Sequence, residues 1–151
     1  KKMLSEVIAF TRYIGEEIGF QLRDGLTVDD ALNAPLIIGV FIKLPDDVTE
    51  EFINWYQTEH SPMVLRSSLW RMVRHMKIVN ADPEPFTHMF IHYVESEDAL
   101  KSDELSAAQA TDWFNTLSQN EWFKTHSVMY HRLGKRYHKG EPNAQTFTLD
   151  I

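Results

Sequence analysis

The sequence predicts an α+β protein in which four strands alternate with two helical segments. Runs rich in β-branched and aromatic residues, typical of strands, occur at residues 36–44, 70–79, 86–95 and 128–137. A helical segment separates the first two runs, and a second, discontinuous one separates the last two. The resulting β-α-β-β-α-β order is that of the ferredoxin-like unit, an antiparallel four-stranded sheet with both helices on one face.

Composition narrows the class of protein further. The chain has 151 residues, of which 43% are hydrophobic and 25% charged, as expected for one globular domain. The formal net charge of -7 argues against a nucleic-acid partner, and no polybasic stretch or long apolar run suggests a membrane. The absence of cysteine excludes disulfides and thiolate nucleophiles. The missing cysteines do not indicate the compartment. Glu6 and Arg12 interrupt any signal-peptide core at the start of the chain, so we expect a cytoplasmic protein, without nucleic-acid or membrane partners.

Residues 1–35 precede this unit as an N-terminal extension. Apolar spacing favours a helix over residues 4–22, although the piece VIAFTRYI within it fits a strand equally well. Residues 27–32 predict one short capped helical turn. The domain itself spans residues 36–138, and residues 139–151 form a polar tail that we expect to be a loop or an arm clasping a partner.

The first helix of the domain carries clear starting signals. Thr49 is a suitable N-cap, and Val48 and Ile53 occupy the positions of a hydrophobic staple. Glu50 and Glu51 place negative charge at the positive end of the helix dipole. These signals predict a helix from about residue 49 to about residue 60.

One face of this helix is aromatic and ends in a histidine. Phe52, Tyr56 and His60 recur four residues apart and therefore share a face. Pro62 predicts a kink or break beside His60, because proline lacks the amide proton that an internal helical residue donates. An imidazole titrates near neutral pH, so His60 is a candidate general base or acid.

Two strands carry further histidines. Alternation places Trp70, Met72, Arg74, Met76 and Ile78 on one face of their strand and His75 on the other. On the next strand, Phe86, His88, Phe90 and His92 share a face. His88 and His92 are then separated by about 13 Å, too far to chelate one metal ion. The pattern does not decide which of these faces meets the helices.

The remaining elements predict packing and association. Residues 96–120 read as helix in pieces, and the aromatic side chains around Trp113 are suited to packing that segment onto the sheet. With both helices on one side, the other face of the sheet would be bare. We therefore expect a homodimer in which two copies cover that face.

The segment around His60 resembles a known family. The pattern Glu51-Phe52-x-x-Trp55-Tyr56-x-x-Glu59-His60-x-Pro62, between strands in this order, resembles the EthD-like branch of the dimeric α/β-barrel superfamily. The resemblance covers about residues 36–138. It implies a dimer of ferredoxin-like units, a pocket between each sheet and its own helices, and cofactor-free chemistry on polyketides or phenols. It also implies that His60 is the acid/base group.

These observations together predict a cofactor-independent enzyme of the cyclase, dehydratase or decarboxylase type. Its substrate would be a small aromatic or polyketide-like molecule. The predicted catalytic residues are His60, Tyr56 and His92, and the predicted substrate-binding residues are His88, Trp55, His75, Phe90 and Trp113. No phosphate-binding loop, Ser-His-Asp signature or metal-ligand spacing is present, so we expect neither metal nor cofactor. The alternatives are a non-catalytic ligand-binding or stress-related dimer, a cofactor-free oxygenase, and a haem-binding relative.

Overall fold

One antiparallel sheet organises the protein. The computed structural model describes residues 13–81, 86–132 and 146–149. Within them, the sheet has the strand order β1-β3-β4-β2-β5-β6. The strands are β1 (Tyr13–Leu22), β2 (Leu36–Ile42), β3 (Trp70–Ala81), β4 (His88–Val94), β5 (Thr125–His131) and β6 (Thr146–Leu149). The four predicted strands are the central ones, and their order is consistent with a ferredoxin-like α+β fold.

The prediction of a four-stranded sheet is wrong in strand number. β1 pairs with β3 at one edge of the sheet, and β6 pairs with β5 at the other. β6 lies within the segment expected to be a loop or arm. The rest of that tail, and the last residues of the predicted fourth strand, lie outside the described residues.

Short helices connect the strands. They are α1 (Val28–Leu32), α2 (Asp46–Trp55), a π-helical turn (Tyr56–His60), α3 (Ser61–Val64), a 3₁₀ turn (Glu97–Lys101), α4 (Asp103–Ala108) and α5 (Asp112–Ser118). α1 confirms the predicted capped turn, because Thr27 and Asp30 form a reciprocal capping box. The second helical segment is divided into pieces, as predicted. None of the described helices is long and apolar enough to cross a membrane.

The prediction of a helix over residues 4–22 is wrong for the part of that segment that the structure describes. Residues 13–22 form β1, and the part before Tyr13 lies outside the described residues. The apolar spacing fitted both periods, and pairing with β3 settles the choice by satisfying the backbone of β1.

The main helix begins earlier than its sequence signals suggest. α2 starts at Asp46 with Pro45 in the capping position, and Thr49 lies within the first turns, where its hydroxyl donates to the Pro45 carbonyl at 2.8 Å. The fixed φ of Pro45, -60°, suits a helix entrance, and Asp46 and Asp47 supply the negative charge near the dipole.

Pro62 widens the helix instead of breaking it. The Ser61 amide donates to the carbonyl of Tyr56, five residues earlier, and the chain continues into α3. A π-helical turn accommodates the proline ring and the missing amide proton at a local change of pitch. His60 is the last residue of this wide turn.

The principal core lies between the sheet and the helices that follow β2 and β4. Phe52, Trp55 and Tyr56 pack there against the inward-facing side chains of β2 and β4. A β-bulge between Trp70 and Met72 shifts the alternation of β3. The prediction that these two side chains share a face is therefore wrong: Trp70 joins the principal core, and Met72 packs with Ala31 and Ala34 at α1.

The second face of the sheet is not wholly bare. α1 and its flanking residues cover part of it, where Ala31 and Ala34 form a small buried cluster with Met72 and Tyr93. The Arg71–Glu95 ion pair, at 2.5 Å, adds a link beside α1, because Arg71 also donates to the Asp30 carbonyl. The extension thus supplies both an edge strand and a partial cover.

Candidate functional site

A small void lies between the sheet and the helices. Its volume is about 30 Å³, which is room for one or two water molecules. Its lining is mostly apolar and aromatic, and its polar members are Tyr56, His60, His92, Gln109 and Thr125. In the composition of its lining, mostly apolar with a few converging polar groups, the void resembles a small-molecule site, but its volume is far below the roughly 300–1,000 Å³ of such sites.

Three side chains form a directed hydrogen-bond chain at this void. The indole nitrogen of Trp70 lies 3.0 Å from Nδ1 of His92, and Nε2 of His92 lies 2.6 Å from the Tyr56 hydroxyl oxygen. An indole N–H can only donate, so Nδ1 of His92 must accept and carry no proton. The neutral ring then bears its proton on Nε2 and donates it to the Tyr56 oxygen. The hydroxyl proton of Tyr56 is consequently left to donate to another group.

Tyr56 is held rigidly as a neutral donor. Its ring stacks on Phe90 with centroids 3.8 Å apart and an interplanar angle of 12°. It is 4% exposed, and burial raises the pKa of its hydroxyl well above the ordinary value of 10.0. The hydroxyl therefore keeps its proton throughout the physiological range.

His60 lies beside Tyr56 as a neutral base. Its ring centroid is 4.8 Å from that of Tyr56 and 4.9 Å from that of Trp55. Its Nδ1 atom is buried without a hydrogen-bond partner among the described residues. Burial, with a smaller contribution from nearby His75, lowers the pKa of His60 to about 4. At neutral pH the imidazole is uncharged and can accept a proton.

The structure brings five of the eight predicted site residues together. His60, Tyr56, His92, Trp55 and Phe90 all line the void. In addition, burial lowers the pKa of His92 to about 3, with smaller contributions from His60 and His75, so its ring stays neutral as the hydrogen-bond chain requires.

The other three predicted residues are not part of the void lining. His75 is fully buried with its ring centroid 5.5 Å from that of Tyr56, and both of its ring nitrogens are without partners among the described residues. His88 bonds through Nδ1 to the Thr87 hydroxyl at 2.8 Å, and Trp113 donates to Glu51 at 3.2 Å. The roles predicted for all eight residues remain predictions.

Glu59 was not among the predicted site residues, although its place in the sequence pattern was noted. Its Oε2 accepts from the Trp55 indole at 2.9 Å and from the Thr111 hydroxyl at 2.7 Å. Thr111 is the N-cap of α5, so this carboxylate ties the helix that bears His60 to the helix across the void. The spacing of four between Trp55 and Glu59 was the available signal.

The void has further lining residues, and all of them except Phe52 come from outside the helical segment that bears Tyr56 and His60. Trp70 reaches the void because of the bulge in β3, and the others are Ile38, Val40, Ile42, Phe52, Leu105, Gln109, Phe114, Phe123 and Thr125. No group of three or more acidic or histidine side chains in the described residues is arranged to hold a metal ion.

The strand order, with the helices that follow β2 and β4 on one face, defines the class, an α+β protein consistent with a ferredoxin-like fold, with a candidate site between the sheet and those helices. The particular family follows from comparison with known proteins. Residues 36–133 match the family described as a domain of unknown function (DUF4286), and the chain belongs to that family. No curated protein matches the chain. The matched region begins at β2, so β1 and α1 lie outside it.

Proposed function

We propose that the protein is a cofactor-independent enzyme that moves a proton on a small aromatic or polyketide-like molecule. The observation that carries this proposal is the chain from Trp70 through His92 to Tyr56, which leaves a neutral hydroxyl donor on a ring that packs against His60, whose Nδ1 is unpaired among the described residues. The resemblance of the segment around His60 to EthD-like proteins supports the same assignment.

In the proposed step, Tyr56 and His60 have separate roles. The carbonyl oxygen of the substrate, or of the keto form of a phenol, accepts the Tyr56 hydrogen bond, and His60 removes a proton from the carbon next to that carbonyl. Negative charge then develops on the substrate oxygen, where the fixed donor stabilises it in a site of low dielectric. The weak basicity of the buried His60 makes this oxygen contact necessary. Dehydration and aldol cyclisation begin with this deprotonation, and decarboxylation reaches the same kind of enolate by loss of CO₂, so all three gain from the donor at the oxygen.

The size of the void sets a requirement on binding. A space of about 30 Å³ does not hold an aromatic ring, so a substrate must displace lining side chains. Gln109, Phe114 and Phe123 are only partly buried and come from α5 and the segments on either side of it. We propose that these side chains move outward when the substrate enters.

We also propose that the protein is a homodimer of the dimeric α/β-barrel type, joined through the sheet face opposite the principal core. Phe20 on β1 and Val28 on α1 are exposed there, with relative exposures of 46% and 42%. A sedimentation-equilibrium mass equal to the 17.6 kDa monomer would contradict this assembly.

A non-catalytic binding protein is the second candidate. The observation that favours it is that no carboxylate or carbonyl among the described residues orients the Nδ1 atom of His60, whereas catalytic histidines commonly have such a partner. The pocket would then hold a small aromatic molecule without turnover.

Deuterium incorporation from solvent distinguishes the two candidates. We expect the protein in D₂O to exchange the acidic C–H protons of at least one compound in a panel of β-diketones, β-keto acids and polyphenols. Each compound is first tested for binding by its effect on the melting temperature. Compounds that raise the melting temperature but never exchange faster than in buffer would indicate the binding protein.

A further inference from the structure

The π-helical turn leaves one backbone carbonyl without a helical partner. In an α-helix the Gln57 carbonyl would accept from the amide of residue 61, and in a π-turn from that of residue 62. The Ser61 amide is used by Tyr56, and Pro62 has no amide proton. The Gln57 carbonyl therefore needs a donor from elsewhere in the protein.

Gln21 of β1 supplies that donor. Its side-chain Nε2 lies 2.6 Å from the Gln57 carbonyl oxygen, and the contact is partly buried. Two residues earlier on the same face of the strand, Gly19 lies against the Gln57 side chain, whose Nε2 would be 3.3 Å from a Cβ atom at position 19. The edge strand thus contacts both the carbonyl and the side chain of Gln57.

We propose that Gln21 is a positioning residue for His60, and that the N-terminal strand thereby completes the candidate site. His60 ends the turn whose carbonyl Gln21 satisfies, and closing that turn to α-helical pitch would rotate His60 relative to Tyr56. β1 lies outside residues 36–133, so the part of the chain that matches the family lacks this hydrogen bond. A role of this hydrogen bond in catalysis rests on the proposed function, whereas the hydrogen bond itself does not.

A double-mutant cycle tests the hydrogen bond. Gln21→Met keeps the length of the side chain and removes the donor, so we expect the folding equilibrium constant to fall about threefold to tenfold. Pro62→Ala restores a backbone N–H that can donate a hydrogen bond to the Gln57 carbonyl. In that background, Gln21→Met should change the constant less than about twofold. Glu16→Met, at an exposed position on the same strand, is the matched control and should have no effect.

The side-chain NMR signals of His60 test its positioning without any substrate. We expect Gln21→Met to shift the His60 ring signals and Pro62→Ala to reduce that shift, with the signals of exposed His126 unchanged. If Gln21→Met does not fold, Gln21→Asn, one methylene shorter, allows the same comparison. An equal loss of stability in both backgrounds, or unmoved His60 signals, would overturn the proposal. Failure to find any substrate would contradict the proposed enzyme and leave this result standing.

Discussion

Acidification from pH 7 to pH 4 is expected to unfold the protein. Burial lowers the pKa of His60 and His75 to about 4 and that of His92 to about 3, from an ordinary value of 6.5. In the unfolded chain the same rings bind protons near pH 6.5. Between pH 6.5 and 4, therefore, the unfolded state binds more protons than the folded state, and stability falls as the pH falls.

The expected loss is large enough to compete with the total stability of a domain. Each pKa unit corresponds to about 1.4 kcal/mol, so each of the three rings removes roughly 3 kcal/mol by pH 4. Their sum of roughly 9 kcal/mol lies within the range of about 5–15 kcal/mol that small proteins have. Above pH 6.5 all of this stability is present.

A pH titration followed by near-ultraviolet circular dichroism of the tryptophans measures the effect. We expect a midpoint between about pH 4 and 6 from the pKa values above. His75→Leu, which removes one buried imidazole at similar volume, should move the midpoint to lower pH without loss of stability at pH 7, because both ring nitrogens of His75 are unpaired. His126→Gln, at an exposed position, is the control. A protein that stays folded at pH 3.5 would contradict the explanation.

Replacing His60 is expected to abolish most of the proton exchange on any compound found active. His60→Gln retains a polar side chain of similar size but cannot accept a proton at neutral pH. Positioned bases typically contribute about 10²–10⁴-fold to such a step, so the exchange rate should fall by that factor. Because Nδ1 of His60 has no partner among the described residues, the variant should remain folded.

Tyr56→Phe is expected to affect both activity and stability. Removing the donor to the developing oxyanion should slow exchange by about 10²-fold. It also leaves the Nε2 proton of His92 without its acceptor, so we expect a stability loss of about 1–3 kcal/mol. The double variant should lose little more activity than His60→Gln alone, since the two groups act in one step. Unchanged exchange in either single variant would contradict the mechanism.

Local sequence signals predicted part of the fold well. The capped turn at residues 27–32, the strand from Leu36 and the shared face of His88, Phe90 and His92 were all predicted from neighbouring residues. The aromatic face of the main helix was readable as well, and its last member, His60, is buried as expected. These features depend on periodicity and capping, which act over a few residues.

Features that depend on distant contacts were not predictable. β1 is a strand because it pairs with β3, from Tyr13 with Ala81 to Leu22 with Met72, and nothing local excluded a helix. The bulge between Trp70 and Met72 adds one residue to β3, so Trp70 lies on the opposite face from the one that strict alternation with Met72 predicts, and it reaches the void. The hydrogen bond from Gln21 to the Gln57 carbonyl exists only because Pro62 widens the helix. From the sequence, Pro62 predicted only a kink or break at this point.

The protonation state of His92 tests the central claim most directly. The claim is that Trp70 fixes the ring so that it donates to Tyr56 and frees the Tyr56 proton for a ligand. A long-range proton–nitrogen NMR spectrum of the histidine rings at pH 7 reports which nitrogen is protonated. We predict a neutral His92 ring with its proton on Nε2 and none on Nδ1. A proton on Nδ1, in either a neutral or a charged ring, would contradict the arrangement on which the proposed chemistry depends.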